Sequence, residues 1–317
     1  MRKAATTRFT TCMILCATSL ACAHQLTGHR ALPTVTIQQQ PEFDSAEAVL
    51  TALEAADEDL RTFDSGIAYT TISDLGGAIT RRTGELAFAS DPATASAPRR
   101  RFAVSFETLL RGERYLTGDR ARQTIAFDGR WLWEKIHSEM QINKREVVRQ
   151  GETVDPFELG DGPFPPLPIG QQKDDILRRY DARLVPWSDS LEPDPDLNPR
   201  FADEKREIDM ANALMQFADG SVQLLLVPRG AEPRFAEIRL WYKPDDEGRL
   251  LPRMSRTVDA QSRDVSIVQL MHPLNINDQA REDLLQITIE EGWSLSETRL
   301  QTAEPGGTTR TSPQGTP

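Results

Sequence analysis

The feature that most constrains the fold is residues 127–133 (FDGRWLW), in which an Asp-Gly pair separates two apolar, aromatic-rich runs. Asp128-Gly129 in this setting predicts a β-hairpin, because a tight primed turn needs positive φ angles and glycine adopts them at little cost. Elsewhere, too, apolar residues stand at alternate positions, as in Phe102, Val104 and Phe106. The sequence therefore predicts an antiparallel sheet with one apolar face.

Similar runs of alternating residues extend along most of the chain. A first meander is predicted from strands at 63–72, 79–89, 102–106, 124–127, 131–135 and 141–148, and a second from strands at 222–227, 235–242, 250–258 and 264–271, with a last strand at 285–290 before Gly292. An amphipathic helix is predicted ahead of them, with a capping-box-like start at Asp44 and Glu47 and apolar residues at helical spacing. The helix is expected to cover one side of the sheet.

The middle of the chain breaks the strand pattern. Residues 155–170 are rich in proline and glycine yet apolar, which favours a packed loop over a solvated linker, and a short helix is predicted at 171–179. Residues 189–218 are predicted to contain an exposed acidic insertion. We expect one folded domain over residues 44–300, a flexible tether at 24–43 and a disordered tail at 301–317, which is rich in Gly, Thr, Ser and Pro.

The first 23 residues have the three parts of an export signal. A basic start carries Arg2, Lys3 and Arg8, residues 10–20 are apolar or small, and residues 21–23 (ACA) offer a cleavage site. Residues 19–22 (SLAC) also resemble a bacterial lipobox, which would place an acyl chain on Cys22. Both interpretations place the protein outside the cytoplasm, either soluble in the periplasm or anchored through Cys22.

Composition argues against several classes of function. The net charge of −11 disfavours nucleic acid as a partner, since phosphate backbones repel an acidic surface. All three cysteines precede residue 23, so the folded part has no disulfide and no thiolate ligand. Neither His137 nor His272 lies in a metal-ligand pattern, and neither a nucleophile elbow nor a phosphate loop is present. We expect no enzyme activity, metal or cofactor.

The order of these elements resembles the outer-membrane lipoprotein carrier (LolA-like) family, as a divergent branch. The similarity rests on residues 74–78 (DLGGA), 83–88 (TGELAF), 127–133, 235–240 (FAEIRL), 258–259, 292–293, 160–165 and 168–171. It covers about residues 45–296. The resemblance implies a mainly β fold with some helix, in which a large curved antiparallel sheet forms an unclosed half-barrel with helices as a lid.

The resemblance also implies a function. Carriers of this family shelter the acyl chains of lipoproteins in an apolar hollow and exchange them with inner- and outer-membrane transfer proteins. With strand alternation, it predicts that the cavity is lined by Leu86, Phe88, Phe102, Val104, Phe106, Ile125, Phe127, Trp133, Ile238, Leu240 and Tyr242. The predicted lid residues are Leu50, Leu53, Phe157 and Phe164. The simpler alternative is that these side chains pack as an ordinary core.

The chain departs from the family at the arginine that closes the lid. Members often carry an Arg-Pro pair before the strand that corresponds to Phe102, whereas Pro98 here is followed by Arg99, Arg100 and Arg101. Two alternatives to a carrier stay open. One is a membrane-tethered acceptor of lipoproteins, and the other is a periplasmic sensor or scaffold whose sheet binds a protein partner.

Overall fold

The computed structural model describes residues 43–58, 60–91, 99–149, 167, 169, 172–271 and 274–300. The helices are α1 Ala46–Glu58, α2 Lys173–Arg179, α3 Ala202–Ala218 and α4 Glu282–Leu285. The strands are β1 Thr62–Ile72, β2 Ile79–Asp91, β3 Arg99–Arg111, β4 Arg114–Thr117, β5 Gln123–Phe127, β6 Trp131–Ile136, β7 Gln141–Glu146, β8 Tyr180–Val185, β9 Val222–Pro228, β10 Phe235–Pro244, β11 Leu250–Asp259, β12 Val265–Leu270, β13 Asn275–Ile276 and β14 Ser294–Thr298. The predicted signal, lipidation site Cys22, tether up to residue 42, lid residues Phe157 and Phe164, and tail lie outside the described residues.

One sheet contains all fourteen strands. Its order is β14-β7-β6-β5-β3-β2-β1-β12-β11-β10-β9-β8, with β13 paired to β1 and β4 paired to β3. Every pairing is antiparallel except that of β14 with β7, which is parallel. The sheet does not close, because β14 and β8 stand at opposite ends of the order. The predicted fold class, a mainly β protein with a large unclosed sheet and few helices, is confirmed.

The sheet is strongly curved. Gln123 of β5 and Phe235 of β10 line the same cavity of about 590 Å³, although six strand steps separate them in the sheet order. Six steps in a flat sheet would span about 29 Å at ~4.8 Å each, too far for one such cavity to bridge. The two halves of the sheet must therefore bend toward each other.

The Asp-Gly hairpin forms where it is predicted. Asp128 Oδ1 accepts hydrogen bonds from the backbone N–H groups of Arg130 (2.9 Å) and Trp131 (2.8 Å), and its Oδ2 accepts one from Trp133 Nε1 (2.9 Å). Gly129 adopts a φ of 96°, which a side chain would strain. The Asp side chain thus organises the turn between β5 and β6.

A second glycine explains part of the family-like motif in β2. A Cβ on Gly84 would lie 1.9 Å from the carbonyl oxygen of Ser105 and 2.7 Å from Phe106 Cα, both on β3. The register between β2 and β3 also shifts between Thr83 and Gly84. Glycine is required here because the two backbones approach too closely for any side chain.

Helix α1 confirms the predicted amphipathic helix, with a different cap. The Ser45 hydroxyl accepts a hydrogen bond from the Ala48 N–H at 3.2 Å, so Ser45 takes the capping role that the sequence assigned to Asp44 and Glu47. Val49, Leu50 and Leu53 are buried on the side that faces the sheet.

Two elements differ from prediction at the C-terminal end and in the insertion. The strand predicted at 285–290 is wrong, because Leu285 ends α4 and the last strand is β14, which has five residues, all of them exposed. An exposed strand carries no apolar alternation, so the apolar residues before it misled the assignment. The stretch 189–218 contains α3, whose Ala218 is buried beside Trp241 on β10.

Candidate functional site

The inner face of the sheet, defined as the face that α1 covers, carries two apolar clusters. The first joins β1, β2, β3, β5 and β12 and includes the rings of Phe102 and Phe127, which stack with centroids 6.1 Å apart. The second lies between α1, α2 and strands β8 to β10, where Leu50 belongs to one cluster with Leu240. A strip of small polar residues on β11, including the buried Ser255 and Thr257, runs between the clusters.

Most of the predicted lining residues lie in these clusters. The first contains Leu86, Phe88, Phe102, Val104, Phe106 and Phe127, with Ile125 packed at its border. The second contains Ile238, Leu240 and Tyr242 with the predicted lid residues Leu50 and Leu53. Apart from the half-buried Ile125, all of these side chains are at most 7% exposed, so much of the inner face is filled with packed side chains.

Trp133 is the exception, because it lies on the opposite, outer face. It pairs with Ala126, which pairs in turn with Ala103, and these alanines pack with α4 outside the hollow. The prediction placed Trp133 among the lining residues, but strand alternation in β6 gives the inner position to Leu132, which pairs with Phe127.

An apolar cavity of about 390 Å³ remains beneath α1. It is bounded by the C-terminal half of α1, the start of β1, the turn between β10 and β11, and β13. Its apolar lining consists of Ala52, Leu53, Ala55, Ala56, Leu60, Phe63, Ile169, Tyr242, Leu250, Leu251, Pro252 and Ile276. The volume lies within the roughly 300–1,000 Å³ typical of small-molecule sites. Leu53 and Tyr242 are the predicted residues that line it.

Tyr242 contributes an unusual group to this cavity wall. Its side chain is 1% exposed, and its hydroxyl has no hydrogen-bond partner among the residues that the structure describes. Burial raises the pKa of this phenol, and the nearby Asp57 carboxylate raises it further, so the hydroxyl stays protonated. An unpaired buried hydroxyl costs about 1–3 kcal/mol, a penalty that a ligand acceptor or a shift of α1 would relieve.

An ion pair fastens the end of α1 over the sheet. Arg100 Nη2 on β3 lies 2.7 Å from Asp57 Oδ2 on α1, and the two side chains are only 14% and 15% exposed. Neighbouring Arg101 instead pairs with Glu282 of α4 at 2.9 Å, on the outer face. The arginine run after Pro98 therefore ties a helix to each face of β3.

A second cavity, of about 590 Å³, lies toward the other end of the inner face and is polar. Tyr69, Arg82 and Gln123 line it from one half of the sheet, and Arg234 and Asp259 line it from the other. Its apolar wall includes the predicted residues Phe106 and Ile125. The Tyr69 and Ser266 hydroxyls lie 3.3 Å apart across the β1–β12 pair.

The structure adds lining residues that the sequence argument did not name. Phe63 follows the same alternation as Phe88, its neighbour across the β1–β2 pair, so its position could have been found from the pattern. Ala52 and Ala56 line the cavity because they are small, a property that hydrophobic periodicity does not reveal. Ile276 lies on the two-residue strand β13, too short to carry a pattern.

The described residues hold no group of three or more His, Cys, Asp or Glu side chains that could ligate a metal ion. Within the same residues, no helix is long and apolar enough to cross a membrane.

Neither a protein-family model nor a curated protein matches this sequence. Among solved structures, the chain is similar to an uncharacterized conserved protein from Thermus thermophilus, with 10% identity, coverage of 80% of this chain and 99% of that chain, and a TM-score of 0.38. It is similar to a LolA superfamily protein from Nitrosomonas europaea, with 12% identity, 76% and 98% coverage and a TM-score of 0.30. It is also similar to the Pseudomonas aeruginosa MucA/MucB complex structure, with 16% identity, 77% and 61% coverage and a TM-score of 0.35.

LolA superfamily proteins are thus among the structural neighbours of this chain, at low identity and low TM-score. Similarities of this degree supply no function, which has to be argued from the cavities themselves.

Proposed function

We propose that the protein binds acyl chains, carried by lipoproteins or by other lipids, in the apolar cavity beneath α1. The observation that carries this proposal is the cavity of about 390 Å³ whose wall is formed largely by Ala, Leu, Ile and Phe side chains. An acyl chain gains about 0.8 kcal/mol for each CH₂ group that leaves water, so a short stretch of such wall provides useful affinity. Such a binder needs no catalytic group, and we propose no enzyme activity.

The cavity wall also suggests how a chain would enter. One side of the wall belongs to α1, which is attached to the sheet through apolar packing and the Asp57–Arg100 ion pair. We propose that α1 acts as a lid that moves outward to admit a chain, as mobile elements do over many binding sites. The filled remainder of the inner face would then serve as the rigid floor on which the lid closes.

Substitution of one α1 residue tests this site. Ala56 lines the cavity, whereas Ala48 is exposed on the same helix, so Ala56→Trp fills the cavity and Ala48→Trp makes the same change outside it. In a titration with a fluorescent fatty acid, we expect Ala56→Trp to weaken binding at least tenfold and Ala48→Trp to change it less than twofold. Absence of saturable binding by the wild-type protein, or equal effects of the two variants, would refute the proposal.

The cargo and the cellular location need separate experiments. We propose that the protein works outside the cytoplasm, as the signal-like residues 1–23 suggest. Mass spectrometry of organic extracts from protein purified from its own host would identify bound acyl species. Labelling with a palmitate analogue, with and without Cys22→Ala, would separate a tethered acceptor of lipoproteins from a soluble carrier that exchanges cargo with inner- and outer-membrane transfer proteins.

A protein-binding scaffold is the second candidate function. The packing of most predicted lining residues favours it, because a filled inner face leaves less room for cargo than the resemblance implied. A fatty-acid titration without binding, together with extracts free of acyl species, would favour the scaffold.

A further inference from the structure

We propose that the polar cavity is a second binding site, which takes an anionic oxygen-bearing group, a phosphate or a carboxylate, on Arg82. This site is distinct from the apolar cavity beneath α1, and the proposal does not depend on the binding of acyl chains. It rests on the position of Arg82, on the donors that its guanidinium leaves unused and on the absence of a carboxylate partner for it among the described residues.

Arg82 lies on the inner face of β2, where it pairs with Tyr69 of β1 and lines the cavity of about 590 Å³. Its guanidinium carbon is 5.9 Å from the centre of the Phe106 ring, and its Nη1 donates one hydrogen bond, 3.3 Å long, to the carbonyl oxygen of Ala121. A guanidinium has five N–H donors in a planar fork that matches carboxylate and phosphate oxygens. Most of these donors therefore remain available to a ligand.

No carboxylate in the described part of the chain forms an ion pair with Arg82. Glu134 is the acid that most favours its charge, but Glu134 already accepts hydrogen bonds from Gln123 (2.7 Å) and Asn143 (3.2 Å). Burial, and next the charge of Arg111, lower the pKa of Arg82. Burial lowers the pKa because it removes water from the charged guanidinium.

Arginines on the outer face of the same sheet provide the contrast. Arg256 lies 2.6 Å from Glu237, and Arg239 pairs both with Glu237 at 3.1 Å and with Asp189 at 2.8 Å. At these two positions a largely buried arginine therefore has acids beside it. The cavity residue Arg82 lacks that compensation, as a site for an incoming anion should.

The acids in the cavity wall belong to the other half of the sheet and have structural partners. Asp259 accepts the backbone N–H groups of Gln261 (2.9 Å) and Ser262 (2.8 Å), and Asp264 accepts that of Asp74 (3.0 Å). The positive charge of Arg234 also lowers the pKa of the Asp259 carboxyl group. Arg82 is the positive charge that the first half of the sheet contributes to the cavity wall, and the Tyr69 hydroxyl, 3.3 Å from that of Ser266, lines the same wall.

The net charge of −11 limits where an anion can bind. The acidic surface as a whole repels anions. Salt screens charges beyond about a Debye length, ~8–10 Å, so an anion at this site must be held by the nearby charge and hydrogen-bond donors of Arg82. This favours a small anion, or a single anionic headgroup, over an extended polyanion.

Nuclear magnetic resonance with inorganic phosphate as the probe tests the site. At constant ionic strength set with chloride, phosphate should shift the Arg82 Nε–Hε signal in a saturable manner. Arg82→Gln should weaken phosphate binding at least tenfold, whereas Arg81→Gln, the same change one residue earlier on the opposite face of β2, should alter it less than twofold. Arg82→Lys should fall between the wild type and Arg82→Gln, because it keeps the charge but not the fork.

Further probes identify the source of the anion. Monomeric lysophosphatidic acid that binds at least tenfold tighter than inorganic phosphate, with the same dependence on Arg82, would assign the site to a lipid headgroup, and equal affinities would assign it to a free small anion. Acetate in place of phosphate measures the preference for carboxylate. The proposal is overturned if phosphate leaves the wild-type Arg82 signal unmoved, or if Arg81→Gln and Arg82→Gln weaken binding equally. If Arg82→Gln fails to fold, the response of the wild-type Arg82 Nε–Hε signal to phosphate still tests the proposal.

Discussion

The two cavities of the inner face share one sheet but differ in their lining: the cavity beneath α1 is mostly apolar, and the second cavity mixes charged, polar and apolar side chains. Strand β1 lines both, with Phe63 in the apolar cavity and Tyr69 in the polar one, six residues or about 20 Å further along the strand. The apolar cavity lies under α1, where alanines leave space between helix and sheet. The polar cavity lies where the two halves of the sheet bend together without a described helix between them.

In our proposal, one curved face separates two kinds of ligand chemistry. The first apolar cluster lies between the cavities, and its aromatic rings, such as Phe102, are fully buried. Phe63 of this cluster lines the apolar cavity and Phe106 lines the polar one, so we propose that the cluster forms a packed aromatic wall between the two sites. Every prediction below tests a part of this division.

The largest effect should come from the wall itself. Phe102→Ala removes a side chain that is 0% exposed, and large-to-small changes of this kind cost about 3–5 kcal/mol. Denaturant unfolding should show this loss, whereas Phe201→Ala, at a residue 60% exposed beside α3, should change stability by less than about 0.5 kcal/mol. A loss below about 1 kcal/mol for Phe102→Ala would mean that the wall is loosely packed and the cavities are not separated.

The attachment of α1 over the apolar cavity should give the next largest effect. A double-mutant cycle with Arg100→Gln and Asp57→Asn should yield a coupling free energy of about 1–2 kcal/mol, because both side chains are largely buried and poorly screened by salt. The exposed pair Arg183–Asp181, 62% and 56% exposed, serves as the control and should give less than about 0.5 kcal/mol. Equal coupling free energies for the two pairs would show that Arg100 does not hold α1 closed over the cavity.

Two tyrosines offer a matched comparison of the cavity walls. Tyr69→Phe removes a hydroxyl that is bonded to Ser266 and should destabilise the protein by about 0.5–1.5 kcal/mol. Tyr242→Phe removes a buried hydroxyl that has no partner among the described residues and should raise the stability of the ligand-free protein by about 1–3 kcal/mol. Thermal melting of both variants measures the difference, and a clear destabilisation by Tyr242→Phe would show that its hydroxyl is bonded in solution.

The smallest effect concerns the rim of the polar cavity. Backbone N–H groups of Ser262 and Gln261 lower the pKa of Asp259, so the carboxylate stabilises the fold above its unfolded-state pKa, and this contribution is lost as the pH falls through the lower folded-state pKa. The free energy of unfolding of the wild type should therefore fall more steeply with acid below about pH 4 than that of Asp259→Asn. Parallel pH profiles would show that the turn does not depend on this charge.

Much of the fold could be predicted from the sequence, because strands half-buried on one face reveal themselves by alternation. Phe102, Val104 and Phe106 all fall on the inner face, and the Asp128-Gly129 turn forms as its chemistry requires. The prediction for Trp133 was wrong because β6 carries large apolar residues on both faces, so alternation alone did not identify the inner face of this strand. The exposed strand β14 has no apolar pattern to detect.

The cavities were harder to predict than the sheet. Side chains such as Phe88 and Phe127 point to the inner face as expected, but they pack in the core and do not line a cavity. Alternation predicts the face on which a side chain lies and not how densely that face is packed. Whether an inward residue borders a void depends on the sizes of its neighbours in three dimensions, as the alanines of α1 illustrate. Alternation with Leu86 and Phe88 places Arg82 on the inner face and Arg81 on the outer one, but nothing in the sequence shows that Arg82 borders a cavity.

The most direct measurement is nuclear magnetic resonance of the protein with a fatty acid that carries a nitroxide near its methyl end. If the acyl chain binds beneath α1, the label should broaden the backbone signals of Ala52, Leu250 and Ile276 and spare those of Thr80, Gln123 and Ser262, which line the polar cavity. Broadening confined to the polar cavity, or no saturable broadening at all, would contradict the assignment of the apolar cavity to acyl chains.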